Sequence, residues 1–164
     1  QVEQAEGFAA LESLRAELYE LDGSTESQKS GKKQQKPRSD TGKRGPLWID
    51  ADGNMVYVGR SGKENDHLTF SLAGAEDTWL HARGIPGSHV IVKWQRPQDD
   101  DPQATIEAAA ALAGWYSQAR ESGSIEVDVA KRKHVRKIRG AGPGMVTYRN
   151  ERTILIKPRD ESTL

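Results

Sequence analysis

Gly59-Arg60-Ser61-Gly62-Lys63-Glu64-Asn65-Asp66-His67-Leu68-Thr69-Phe70 and, a short way on, Thr78-Trp79-Leu80-His81-Ala82-Arg83-Gly84-Ile85-Pro86-Gly87-Ser88-His89-Val90-Ile91-Val92-Lys93 form the stretch from which the fold is read. Residues 78–82 and 88–94 carry the β-branched and aromatic content of strands. Gly84, Pro86 and Gly87 between them shape a turn. Residues 61–73 read as a short helix, with Leu68 and Leu72 on one face and Gly74 as its stop. The same stretch holds three of the four histidines of the chain, with arginines, an Asn-Asp pair and a tryptophan. Polar groups cost free energy when buried without partners, so their concentration here marks a candidate site.

Working outward, residues 47–50 and 55–60 are strand-like on either side of Ala51-Asp52-Gly53-Asn54, whose residues accept the positive φ of a hairpin turn. Before them, residues 23–46 have almost no apolar side chains, which predicts a flexible basic linker. Residues 1–22 place Phe8, Leu11, Leu14, Leu18 and Leu21 at spacings of three and four, the stripe of an amphipathic helix. Without a partner helix in the chain it reads as the end of a coiled coil. Downstream, Asp99-Asp100-Asp101-Pro102 opens a long helix, with Asp101 as its cap. Ile106, Ala109, Ala110, Ala113, Tyr116 and Ala119 face inward and Gly123 ends it. Ile125, Val127 and Val129 then alternate with Glu126 and Asp128, the pattern of a half-buried strand. Residues 145–149 and 153–157 read as a last hairpin around Asn150-Glu151. Strands and helices mix without regular βαβ alternation, so the expected class is α+β, mainly antiparallel, with one long and one short helix.

The chain has 164 residues, 24 basic and 24 acidic, and a formal net charge of zero. That average conceals segregation of sign. Residues 1–22 carry a net charge of −5 and residues 23–46 a net charge of +5. Local rather than total charge is the informative quantity. There is no cysteine, which excludes disulfides and thiolate metal sites. No apolar run approaches the roughly 20 residues of a membrane span. A cytoplasmic location, no membrane partner and descent from a longer chain are the expectations.

Four groups of residues resemble one known family: Tyr57-Val58-Gly59-Arg60, Asn65-Asp66-His67-Leu68-Thr69, Trp79-Leu80-His81-Ala82 and Pro86-Gly87-Ser88-His89-Val90. Residues 137–148 and 153–158 extend the match. Together they are similar to the NFACT-R (RNA-binding) domain of the ribosome-associated quality-control factors. The resemblance divides the chain into residues 1–22, the end of a coiled-coil helix, residues 23–46, a linker, and residues 47–164, an NFACT-R-like domain. It implies a domain that binds RNA, needs no cofactor and catalyses nothing. Full-length bacterial members bind obstructed large ribosomal subunits and support template-free alanine tailing, so the implied partners are tRNA and large-subunit RNA.

Three chemistries compete for the polar stretch. His67, His81 and His89 with Asp66 are residue types that bind zinc. Ser88, His89 or His81, and Asp66 or Asp77 are the types of a hydrolase, although adjacent Ser88 and His89 point to opposite faces on a strand. The third reading is an RNA patch formed jointly by Arg60, His67, His81, Arg83 and His89, whose flat groups stack on bases while the cations hold phosphates. Trp79 shares a strand face with His81. Lys131, Arg132, Lys133, Arg136, Lys137 and Arg139 place six permanent cations in nine residues and suit a phosphate backbone.

Overall fold

The β-branched and aromatic runs read as strands over residues 78–82 and 88–94 become the two middle strands of a six-stranded sheet. A computed structural model describes residues 44–96 and 101–164. The helix expected over 1–22 and nearly all of the expected linker lie outside the described residues. The strands are β1 (Trp48–Ile49), β2 (Met55–Val58), β3 (Thr78–Ala82), β4 (Val90–Lys93), β5 (Ile125–Lys131), β6 (Val135–Lys137), β7 (Val146–Tyr148) and β8 (Arg152–Ile156). The main sheet runs β1-β2-β4-β3-β5-β8, and β6 and β7 form a separate ribbon. Every pairing is antiparallel.

The expected hairpin between β1 and β2 forms around Asp50. Its carboxylate accepts from Asp52 N (2.9 Å), Asn54 N (2.9 Å) and Asn54 Nδ2 (2.8 Å), and Gly53 takes φ +83°. Thr105 Oγ1 donates to the same group at 2.7 Å, which ties the turn to the long helix. Burial pushes the Asp50 carboxyl up, but these four hydrogen bonds outweigh it and hold it below the usual value.

Strand alternation sends Val56, Leu80, Val90, Val92 and Val127 to one face, all fully buried. Against them lies α2 (Gln103–Trp115), which buries Ile106, Ala109, Ala110, Leu112 and Ala113. Its small alanines pack into the core against the sheet. The opposite face buries Trp79, Ile91 and Ala130. It is covered by α1 (Gly62–His67), the π-helical segment Leu68–Leu72, and the β6–β7 ribbon. The result is three layers with the sheet in the middle, an α+β architecture dominated by antiparallel pairing as expected. Among the described residues no helix is long and apolar enough to cross a membrane.

Several expectations are corrected. Asp101 does not cap α2; its carboxylate accepts from Thr78 Oγ1 at 2.8 Å, and Pro102 stands at the cap without a side-chain bond. The helix stops at Trp115 rather than near Gly123. There Ser117 Oγ donates to Gly114 O (2.7 Å), and the loop at Pro86 and Ser88 bonds the departing backbone. Residues 145–149 and 153–157 make no hairpin: β7 pairs with β6, and β8 pairs with β5. Asn150, at φ +56°, turns the chain between the two sheets. The run from Lys131 to Arg139 passes through a 3-10 turn, Arg132–His134, between β5 and β6.

Candidate nucleic-acid interface

The Asn-Asp-His triplet owes its geometry to a short, well-capped helix. Ser61 Oγ accepts from Glu64 N (3.2 Å), and Glu64 Oε2 accepts in return from Arg60 N (2.8 Å), a reciprocal cap that satisfies two exposed donors. Asn65 Oδ1 then accepts from His89 N at 3.0 Å. Asp66 accepts from Gly144 N (2.9 Å) and Lys137 Nζ (2.8 Å). Consecutive side chains on α1 thus fasten the start of β4 and the end of the 140–144 loop. The fit is close: a Cβ on Gly59 would overlap Asn65 Oδ1, and one on Gly62 would lie 2.5 Å from Pro143 O. The π-helical segment continues the helix with a wider turn, closed by Ala73 N donating to Leu68 O at 2.9 Å. Two carbonyls of the segment are met by cations instead: Arg132 Nε donates to Thr69 O (2.7 Å) and Lys93 Nζ to Leu72 O (3.1 Å).

Beneath this layer Trp79 is fully buried, with its Nε1 unpaired among the described residues. His81 stacks parallel to it at 5.7 Å, His89 meets it edge-on at 5.3 Å, and Tyr148 leans on it at 4.6 Å. Trp79 is a core residue here, not a platform for bases. His89 is 2% exposed, and its Nδ1 pairs with Thr69 Oγ1 at 2.9 Å. Burial, reinforced by neighbouring His81, pushes its imidazole down to about 3. Burial also lowers His81, which keeps part of its surface, against the opposing pull of Asp128. Asp128 itself is buried, although the alternation of β5 had suggested a solvated face. It accepts from Tyr148 Oη (2.6 Å), Thr153 Oγ1 (2.6 Å) and Arg83 Nη1 (3.0 Å), so the carboxylate is surrounded by donors.

The five residues expected to share one patch therefore divide. His81, Arg83 and His89 gather around Trp79 and Asp128, where β3, β4 and β5 bring them beneath the ribbon. Arg60 and His67 instead line a cavity of about 260 Å³ between β2 and α1, together with Arg44, Tyr57, Leu47 and Leu72. The Arg60 guanidinium lies 5.7 Å from the Tyr116 ring centroid. Of the residues read as a hydrolase set, Asp66 accepts from Gly144 N and Lys137 Nζ, Asp77 accepts from Gly74 N and Lys93 Nζ, and His89 pairs with Thr69 Oγ1. Among the described residues no three His, Asp or Glu side chains gather as a metal site requires.

The cationic run divides by partner. Glu76 accepts from Lys131 Nζ and Lys133 Nζ, both at 2.7 Å, and these two ammonium groups hold its carboxyl at about 2. Arg132 bonds Thr69 O and packs 5.1 Å from the Phe70 ring, so it is a structural tie. Lys137 is paired with Asp66. Arg136 and Arg139 are exposed and make no ion pair or side-chain hydrogen bond among the described residues. Sequence reasoning missed Glu76, Asp128, Tyr57 and Tyr148, because each joins the site through a pairing that spacing alone does not reveal.

This arrangement has recognisable relatives. The family profile described as NFACT protein RNA binding domain matches residues 47–150. The "Rqc2 homolog RqcH" of Bacillus subtilis is 34% identical over 154 residues, covering 94% of this chain and 26% of that protein. The protein of the same name from Streptococcus pneumoniae is 38% identical over 113 residues, covering 68% of this chain and 20% of that protein. This chain thus spans about a quarter or less of the length of these curated relatives. The solved structure of the C-terminal part of the fibronectin/fibrinogen-binding protein from Streptococcus suis superposes with a TM-score of 0.65 at 31% identity, covering 93% of this chain and 58% of that one.

Proposed function

Because the chain belongs to the family of NFACT protein RNA binding domains, we propose that it is the RNA-contacting domain of a ribosome-associated quality-control factor. In this reading it meets tRNA and large-subunit RNA on obstructed ribosomal subunits, in the cytoplasm, and supports template-free alanine tailing carried out by a longer chain. The domain binds and does not catalyse. One observation carries the reading beyond the family: Arg136 and Arg139, on the β6–β7 ribbon and the loop that follows β6, are exposed and make no ion pair or side-chain hydrogen bond among the described residues. A planar guanidinium presents paired donors that match a phosphate, and an exposed one meets it without first breaking an internal ion pair.

A hydroxyl-radical footprint of the full chain on isolated large subunits, with and without peptidyl-tRNA, tests it. Protection of a discrete rRNA segment, and of the tRNA when it is present, is expected. Uniform weak protection everywhere, or none, would overturn the assignment.

A further inference from the structure

The cavity between β2 and α1 divides by chemistry. Leu47, Leu72 and the ring of Tyr57 make it apolar inside, while Arg44, Arg60 and His67 bring cationic or polar groups to its lining. The carboxylate in the lining, Glu64, is already engaged. Its Oε2 accepts from Arg60 N at 2.8 Å and its Oε1 lies 3.8 Å from Arg44 Nε. Two arginines against one carboxylate give the lining residues a net positive charge, with the exposed Arg60 guanidinium lying over the Tyr116 ring beside the cavity. Its volume, about 260 Å³, falls just below the roughly 300–1,000 Å³ of pockets for drug-sized ligands. A single ring system with a short charged substituent is the class of ligand that fits.

We infer that this cavity takes one unstacked nucleotide of a single RNA strand, with its base against Tyr57 and the leucines and its phosphate on Arg60 and Arg44. The inference rests on the RNA-binding reading above and adds to it a place where the strand is held by a base as well as by its backbone. A base inside a duplex stays stacked on its neighbours and cannot enter, whereas an unpaired base offers its π-face to an aromatic side chain. Single strands or loops, rather than continuous helices, are therefore the substrate of this part of the surface.

Two RNA probes test it with the full chain: a single-stranded oligouridylate bearing one 4-thiouridine, and a blunt duplex of equal length. On irradiation the single strand should crosslink to Tyr57 or His67. Tyr57→Ala should weaken single-strand binding by about five- to 150-fold, the equivalent of one lost stacking partner, and leave duplex binding unchanged. Should that variant fail to fold, Arg60→Gln, at an exposed position, must show the same selective loss. Crosslinks confined to residues 131–149, with Tyr57→Ala and Arg60→Gln harmless, overturn the pocket and leave the RNA-binding reading standing. Failure of both probes to bind overturns the reading beneath it as well.

Discussion

Position 89 holds an imidazole that the fold keeps neutral. Its Nδ1 faces Thr69 Oγ1, its backbone nitrogen faces Asn65 Oδ1, and its edge meets Trp79. A proton added there has little solvent to stabilise its charge, and His81 lies 5.8 Å away. The folded pKa is about 3 against an ordinary 6.5. In the unfolded chain His89 takes up a proton as the pH falls below 6.5, while in the folded chain it does so only near 3. The contribution to stability is therefore complete above pH 6.5 and is lost on acidification, by on the order of 1.4 kcal/mol per pH unit well below 6.5. His81, lowered mainly by burial, pushes in the same direction. Denaturant titrations at pH 7, 6 and 5 should show stability falling with pH, and His89→Gln should flatten that dependence. An equally steep dependence in the variant would show that another group carries it. The company of polar residues around His89 was legible in the sequence, but its burial was not. Whether a histidine is ligand, contact or core depends on what covers it, and the cover here is a ribbon more than forty residues downstream.

At the scale of elements, local pattern and pairing part ways. β5 was found from alternation and β3 from its β-branched and aromatic content, and the observed bounds of β3 match those read from the sequence. Alternation says nothing of which strand lies alongside. Two neighbouring strands, β7 and β8, therefore looked like a hairpin and instead joined different sheets. The cations of the 131–139 run give no apolar period that would reveal the 3-10 turn at Arg132–His134. What joins the ribbon to the layer above is the contact between α1 and the 142–144 loop, and Gly62 is its narrowest point. An added Cβ there would lie 2.5 Å from Pro143 O and 3.2 Å from Pro143 Cβ. Backbone cannot yield as a flexible side chain does, so Gly62→Ala should cost about 1–3 kcal/mol, typical of overpacking. Gly123→Ala is the control, because a Cβ at that position meets nothing within 4 Å. It should be neutral or stabilise by about 0.4–1 kcal/mol through the unfolded chain. Equal melting temperatures for the two variants would show that the loop does not rest on α1.

For the whole molecule, a net charge of zero gives RNA no long-range attraction to follow. At physiological salt the Debye length is roughly 8 Å, so a phosphate responds to the few charges nearest it. Which cations are already matched then matters more than how many there are. Lys131 and Lys133 share Glu76, whose side chain is 61% exposed, and an RNA strand approaching them also meets that carboxylate. Arg136 and Arg139 impose no such conflict. Replacing both by Gln should weaken RNA binding across sequences and reduce the slope of log Kobs against log salt by about 1.4–1.8, the release expected for two lost phosphate contacts. Replacing Lys131 and Lys133 by Gln should change the slope less, because their charge is largely met within the protein. Glu76→Gln tests the same logic from the other side. It removes the carboxylate that Lys131 and Lys133 share, and with it the negative charge that an approaching RNA strand meets, so affinity should rise and the slope should steepen. If Glu76→Gln left both affinity and slope unchanged while the double arginine variant lowered them, RNA would contact the ribbon's end alone. If neither variant moved the slope, the 131–139 run would be a solvated surface and the phosphate contacts would lie elsewhere on the domain.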